Sequence, residues 1–155
     1  TGLGLARTTL RQPDWNNNSV LYRRMTIDAP EDYRGHALLA SDLFWHGRRA
    51  EAMQQMFVAL ALYPEDPANW SDTADFYRAM GQCDWAMPLY HRAIAIDRKQ
   101  ANVRARMASC LMRLGQFNAA RQELQALIAE GFGQFQFLLP AVDSAARAVN
   151  SVPRP

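Results

Sequence analysis

Three consecutive windows of equal length carry the decisive reading: YRGHALLASDLFWHGRRAEAMQQMFVALALYPED (Tyr33–Asp66), PANWSDTADFYRAMGQCDWAMPLYHRAIAIDRKQ (Pro67–Gln100) and ANVRARMASCLMRLGQFNAARQELQALIAEGFGQ (Ala101–Gln134). Gly47, Gly81 and Gly115 recur every 34 residues. An alanine lies seven residues before each (Ala40, Ala74, Ala108) and five after (Ala52, Ala86, Ala120). On both sides of each glycine, apolar residues fall at three and four spacing, which describes two amphipathic helices per window. A hairpin that thin cannot cover its own apolar side, so hairpins of this kind stack in series.

The alanine pairs sit where two antiparallel helix axes are expected to cross, since only small side chains permit a close approach. The three glycines are expected to take the left-handed conformation at a helix end, which costs a residue with a side chain about 1 kcal/mol or more. Pro67 suits the first position of its helix, where no amide partner is lost. Pro88 is tolerable only near the start of a helix, so that helix is expected to begin at Asp84 or Trp85. The fold class is therefore all-α.

Outside the windows the pattern thins. Residues 1–14 have no clean period and read as an arm. Residues 15–32 supply one helix, with Val20, Leu21, Tyr22, Met25 and Ile27 on a common face. Pro30 lies 34 residues before Pro64 and marks this as the second half of an incomplete repeat. Gly131 and Gly133 loosen the exit from the third window. Residues 135–150 then form a capping helix with Leu138, Val142, Ala145 and Val149 inward and Asp143, Ser144, Arg147 and Asn150 outward. The tail, 151–155, is expected to be disordered.

Composition excludes several functions. Lys plus Arg number 17 against 15 Asp plus Glu, a net +2, so there is no general attraction to nucleic acid or anionic lipid. No run approaches the roughly 20 apolar residues of a membrane span. The chain opens at Thr1 without an initiator methionine, which reads as a processed product or a piece of something longer. Cys83 and Cys110 fall on adjacent helices and could approach each other. Two cysteines make no disulfide framework, however, and they are expected to pack as free, small apolar residues. No nucleotide loop, nucleophile motif or metal-binding histidine pair is present, so no catalytic residue, metal or cofactor is implied. His36, His46 and His91 are far apart, and single helix histidines are most often packing or surface residues.

These residues resemble the tetratricopeptide repeat (TPR) family. Trp70, Tyr77, Gly81, Ala86, Tyr90 and Ala93 match its pattern in the second window. His36 and Arg104 depart from it at the position of Trp70, and Leu127 where Ala59 and Ala93 stand. The resemblance covers about two thirds of the chain and implies a right-handed superhelix, or α-solenoid, of three repeats (33–66, 67–100, 101–134). It also implies a concave groove lined by the first helix of each repeat. Projected onto the sequence, that groove comprises Arg34, Ala37, Ser41, Phe44 and Trp45, then Ser71, Asp72, Asp75 and Arg78, then Asn102, Ala105, Arg106, Ser109, Met112 and Arg113. Asp72 and Asp75 are expected to face a basic patch of Arg104, Arg106 and Arg113. Phe44 and Trp45 are the expected anchors, because aromatic side chains dominate interface energetics. The carboxylate clamp of chaperone-tail-binding members is not expected: Ala37, Ser41, Asp72 and Asn102 occupy its positions, and only Arg106 agrees.

The implied function is a non-catalytic protein-binding module or assembly subunit, holding a protein or peptide in the groove, with homo-oligomerisation open. Six aromatics, Trp15, Phe44, Trp45, Phe132, Phe135 and Phe137, are expected to be exposed and lean toward a permanent partner. A second resemblance gives an alternative. Arg7, Arg11, Pro13, Asp14 and Trp15, followed by a lone helix, a proline and repeats, look like the junction after the last span of polytopic glycosyltransferase-like proteins. That would make the chain an extracytoplasmic tail attached to a membrane protein.

Overall fold

The computed structural model describes residues 18–151 and consists there of eight α-helices, one 3-10 segment and no strand. The arm at 1–14, Trp15 and the end of the tail lie outside the described residues. The helices are α1 (Asn18–Asp28), α2 (Tyr33–Trp45), α3 (Arg49–Leu62), α4 (Pro67–Ala79), α5 (Cys83–Ile96), α6 (Ala101–Arg113) and α7 (Phe117–Ala129). The 3-10 segment Gly133–Leu138 leads into α8 (Leu139–Asn150). The chain divides into two compact units, Thr1–Pro64 and Glu65–Pro155.

In the first unit α1 packs on α2, and α2 forms a hairpin with α3. In the second, α4 and α5 form a hairpin, α6 packs on α5, α6 and α7 form another hairpin, and α8 closes on α7. The crossings are where the sequence places them: Ala40, Ala52, Ala74, Ala86 and Ala120 are fully buried and Ala108 is 1% exposed. Larger side chains fill the space beside them. Met56 does so in the first unit, and Tyr90, Leu124, Leu127 and Val142 in the second.

Each hairpin turns the same way. Gly47 has φ of 81°, Gly81 of 83° and Gly115 of 74°, all in the left-handed region. At the first, the Arg48 amide donates to the Leu43 carbonyl and the Gly47 amide to that of Phe44. That crossed pair satisfies two carbonyls a helix end would leave orphaned. The same pair recurs at Gly81 and Gly115. At the starts of α2 and α4 the open groups are amides, and the Asp32 and Asp66 carboxylates accept from those of Arg34 and Ala68.

Several expectations are corrected. Gly131 does not merely loosen the exit: with φ of 98° it makes the same crossed pair, so α7 ends in a firm cap. The second helices of the earlier hairpins end instead at Tyr63 and Asp97, neither with positive φ and Asp97 extended. Residues 135–138 belong to the 3-10 segment, and the final helix starts at Leu139. Its Val142 is fully buried, but Val149 points out to solvent at 60% exposure. On α1, Val20 and Ile27 are exposed, and Leu21, Tyr22 and Met25 make the inward side. Helix α5 begins at Cys83, slightly earlier than the proline suggests, so Pro88 stands inside it and one ladder hydrogen bond is forgone.

The cysteines are the largest correction. Cys83 at the start of α5 and Cys110 within α6 are joined in a disulfide, with Cα atoms 5.2 Å apart and both residues buried. Neither is free. The bond staples the second hairpin to the first helix of the third.

Two outcomes follow for stability. Gly115→Ala adds a methyl with nothing within 4 Å of it, so its cost is the left-handed backbone alone. Denaturant titration should find a loss of about 1 kcal/mol. Thiol counting on the unfolded, unreduced chain should find no free cysteine, and Cys83→Ala with Cys110→Ala should lower stability by roughly 2–4 kcal/mol.

Candidate functional site

The projected residues divide between the two units. In the first, Arg34 is exposed and doubly bonded to the Asp32 carboxylate at 3.0 and 3.1 Å. Those bonds hold Asp32 below the usual carboxylate range and raise Arg34. Phe44 is not an exposed anchor: it is 5% exposed, under the edge of Trp45 with ring centroids 5.3 Å apart and the Arg49 guanidinium 6.0 Å from its ring. Trp45 is 71% exposed. Ser41 is half-buried beside it, in a shallow depression between α1 and α2. His36 is buried and held at both ring nitrogens, 2.8 Å from Gln55 Oε1 and 3.0 Å from the Pro30 carbonyl.

In the second unit, α4, α5 and α6 bring Asp75, Arg78, Tyr90 and Arg106 into one polar network. Tyr90 is completely buried, so its hydroxyl needs an acceptor. It donates to Asp75 Oδ1 at 2.5 Å, and Arg78 Nε donates both to that oxygen and to the Tyr90 hydroxyl at 3.1 Å. Burial, and then the bond to Asp75, push the Tyr90 hydroxyl far up. Burial by itself would lower Arg78, but its partners outweigh that and raise it.

Two groups of this face are left with unused capacity. Arg106 Nε lies 3.1 Å from Asp75 Oδ2, close enough to pair in charge. Its N–H is not aligned for a hydrogen bond, and it is shielded from water without an acceptor among the described residues. Asp72, one turn before Asp75, is half-buried and receives no hydrogen bond among the described residues. Burial raises its carboxyl above the ordinary 3.8, the Asp75 charge adds to that, and Arg106 opposes it only in part. Around this pair, Asn102 and Ser109 are exposed on α6. Arg113 is exposed as well and donates through Nη1 to the Arg78 carbonyl at 3.1 Å. Ser71 and Ala105 are buried and Met112 packs into the α6–α7 core, so these three do not offer an open surface.

The expected basic patch is split. Arg106 joins Asp75, whereas Arg104 turns away to Glu123 at 2.5 Å and Glu130 at 2.6 Å. Arg104 stands 34 residues after Trp70, and Glu123 34 after Leu89. Where Trp70 and Leu89 pack against one apolar cluster, the third window substitutes an ion pair at the matching pair of positions. With Arg98, His91, Ile94 and Met107 this ion pair lines a depression of about 510 Å³. Of the other aromatics expected at the surface, Phe135 is buried, Phe132 half-buried and Phe137 exposed at 73%.

Tyr90 is the network member that the projected groove lacks. Its signal is a buried tyrosine hydroxyl, which obliges a polar partner nearby. Among the described residues no group of three or more His, Cys, Asp or Glu is placed to hold a metal. No helix among them is long and apolar enough to cross a membrane.

Residues 77–138 match the family described as Tetratricopeptide repeat. Among solved structures, the chain resembles the type III secretion chaperone SycD of Yersinia enterocolitica, determined in complex with a peptide of the translocator YopD. The two are 25% identical with a TM-score of 0.60, over 76% of this chain and 91% of that one. No curated protein matches.

A carboxyl raised by folding binds its proton more tightly in the folded chain than in the unfolded one. Its ionisation therefore costs stability as pH rises through the folded value. Asp72→Asn should raise Tm at pH 7, and the gain should shrink to nothing below the ordinary 3.8, where Asp72 is protonated in both states. A lower Tm for the variant at pH 7 would mean that the Asp72 charge is matched within the fold after all.

Proposed function

We propose, for a chain whose residues 77–138 match the tetratricopeptide repeat family, that the α4–α6 face holds an extended segment of a protein partner without catalysing any reaction on it. The observation that carries this reading is the pair of unused polar groups. Among the described residues the Asp72 carboxylate accepts nothing and the Arg106 Nε donates to nothing, although both are substantially withdrawn from water. Polar groups kept in that state cost stability, and an incoming backbone offers the missing partners, a peptide N–H for Asp72 and a carbonyl for Arg106.

Asp75, Arg78 and Tyr90 hold the face in shape through their shared hydrogen bonds. Asn102, Ser109 and Arg113 present exposed polar ends along α6 for further contacts. Arg34, Ser41 and Trp45 offer a separate contact on the first unit, with Trp45 as its aromatic anchor. The likeness to a chaperone solved with a bound peptide supports a peptide-like ligand. The disulfide supports residence in an oxidising compartment, since such bonds are rare where thiols are kept reduced. The reading as a tail of a membrane glycosyltransferase rests on the sequence resemblance alone.

The test is affinity capture with immobilised wild type, Arg106→Glu and Asp72→Ala, each checked for helicity. A partner held by the wild type should bind Arg106→Glu at least about tenfold more weakly, the loss of one well-placed charged hydrogen bond. Asp72→Ala should weaken it less. Equal retention of every partner by both folded variants would remove this face from the function.

A further inference from the structure

Asp42 is a carboxylate in an apolar position. By the 34-residue register it stands where Phe76 and Cys110 are buried in the later windows, at 3% and 0% exposure. Its own side chain is only 9% exposed. Ser19 Oγ donates to Oδ2 at 2.5 Å. His46 Nδ1 lies 3.4 Å from Oδ1 but is committed at 2.8 Å to the Asp42 main-chain oxygen. No Lys or Arg lies within ion-pair distance among the described residues. Arg24, Arg34 and Arg48 are paired with Asp28, Asp32 and Glu51. A carboxylate this dry without a cation is costly to keep.

Three further features surround it. Asp42 lines a depression of about 240 Å³ between α1 and α2, together with Tyr22, Leu38 and Trp45. Trp45 is 71% and Leu38 41% exposed, so an indole and an aliphatic side chain stand open at its rim. Helix α2 also ends there, and its last turn carries no basic residue, leaving the negative pole of the helix unneutralised.

We propose that this depression receives one basic side chain, Lys or Arg, of a protein partner. The inference rests on the reading of the chain as a protein-binding module and supplies the chemistry of one contact. The cation takes Asp42 as its counter-charge beside the negative pole of α2, the Trp45 and Tyr22 rings offer cation–π faces, and Leu38 takes the methylenes. An apolar occupant would cover the Asp42 charge without pairing it, and an anion would meet two negative groups. Charge complementarity thus selects the cation.

The test follows the Trp45 indole N–H signal of the full chain by NMR, assigned with Trp45→Phe, during titration with blocked tripeptides carrying a central Arg, Lys, citrulline or norleucine. The expected result is saturable movement with Arg and Lys, at least about tenfold weaker binding for citrulline and norleucine, and a comparable loss in Asp42→Asn. Asn keeps an oxygen for Ser19, and unchanged circular dichroism would confirm the fold. Equal binding of norleucine would overturn the proposal in favour of a merely apolar patch. Displacement of the free-chain signal by Arg7→Gln with Arg11→Gln would overturn it in favour of the chain's own arm, which lies outside the described residues. If no tripeptide moves Trp45 while Arg106→Glu still releases a captured partner, the cation site falls and the α4–α6 reading stands.

Discussion

Close approach of antiparallel helices at alanine is the constraint from which the rest of this structure descends. Ala40 and Ala52, Ala74 and Ala86, and Ala108 and Ala120 are buried at or near zero exposure, so each hairpin closes on side chains of a single carbon. Axes brought that near leave little interior within a hairpin, and the bulk of the apolar surface must be covered by the next helix along. Tyr90, Leu124 and Leu127 fill that space in the second unit, Met56 in the first. A larger residue at an alanine position would strain the hairpin. A smaller one at Tyr90 or Leu124 would leave a cavity between neighbours.

The same economy governs the polar groups. One register position is solved three ways: His36 bonded to Gln55, Trp70 and Leu89 packed against one apolar cluster, and Arg104 paired with Glu123. In each, the requirement is a matched pair, and polarity is free to change if both members change together. Elsewhere the matching is incomplete. Among the described residues Asp72 accepts no hydrogen bond, Arg106 Nε finds no acceptor, and Asp42 has no cation although it occupies a position that is otherwise apolar. Shortfalls of this kind weaken a fold, and they are where a partner's groups gain most by binding.

Much of the fold was legible in the residues because a helix face is a one-dimensional pattern. The glycine period gave the hairpin turns, the alanine offsets gave the crossings, and the glycine- and proline-marked ends gave most helix limits to within a few residues. Less of the site could be read. Phe44 and Trp45 are adjacent on α2, and the period does not say which of them turns inward when a helix is covered on two sides. The structure buries Phe44, which continues the spacing of His36 and Ala40. Asp42 was readable in principle, since the register alone aligns it with Phe76 and Cys110.

By itself, then, the sequence determined the all-helical class, the unit of repetition and the small residues at its crossings, all of which depend on spacing along one chain. Tertiary structure alone decided the pairings. It joined Cys83 to Cys110 across 27 residues, sent Arg104 to Glu123 and Glu130 instead of toward Asp72, and aimed Arg106 at Asp75 without a hydrogen bond. The physical reason is that a pairing depends on how two helices are rotated and offset against each other. An ångström of offset or one rotamer changes the partner while leaving the periodic pattern untouched.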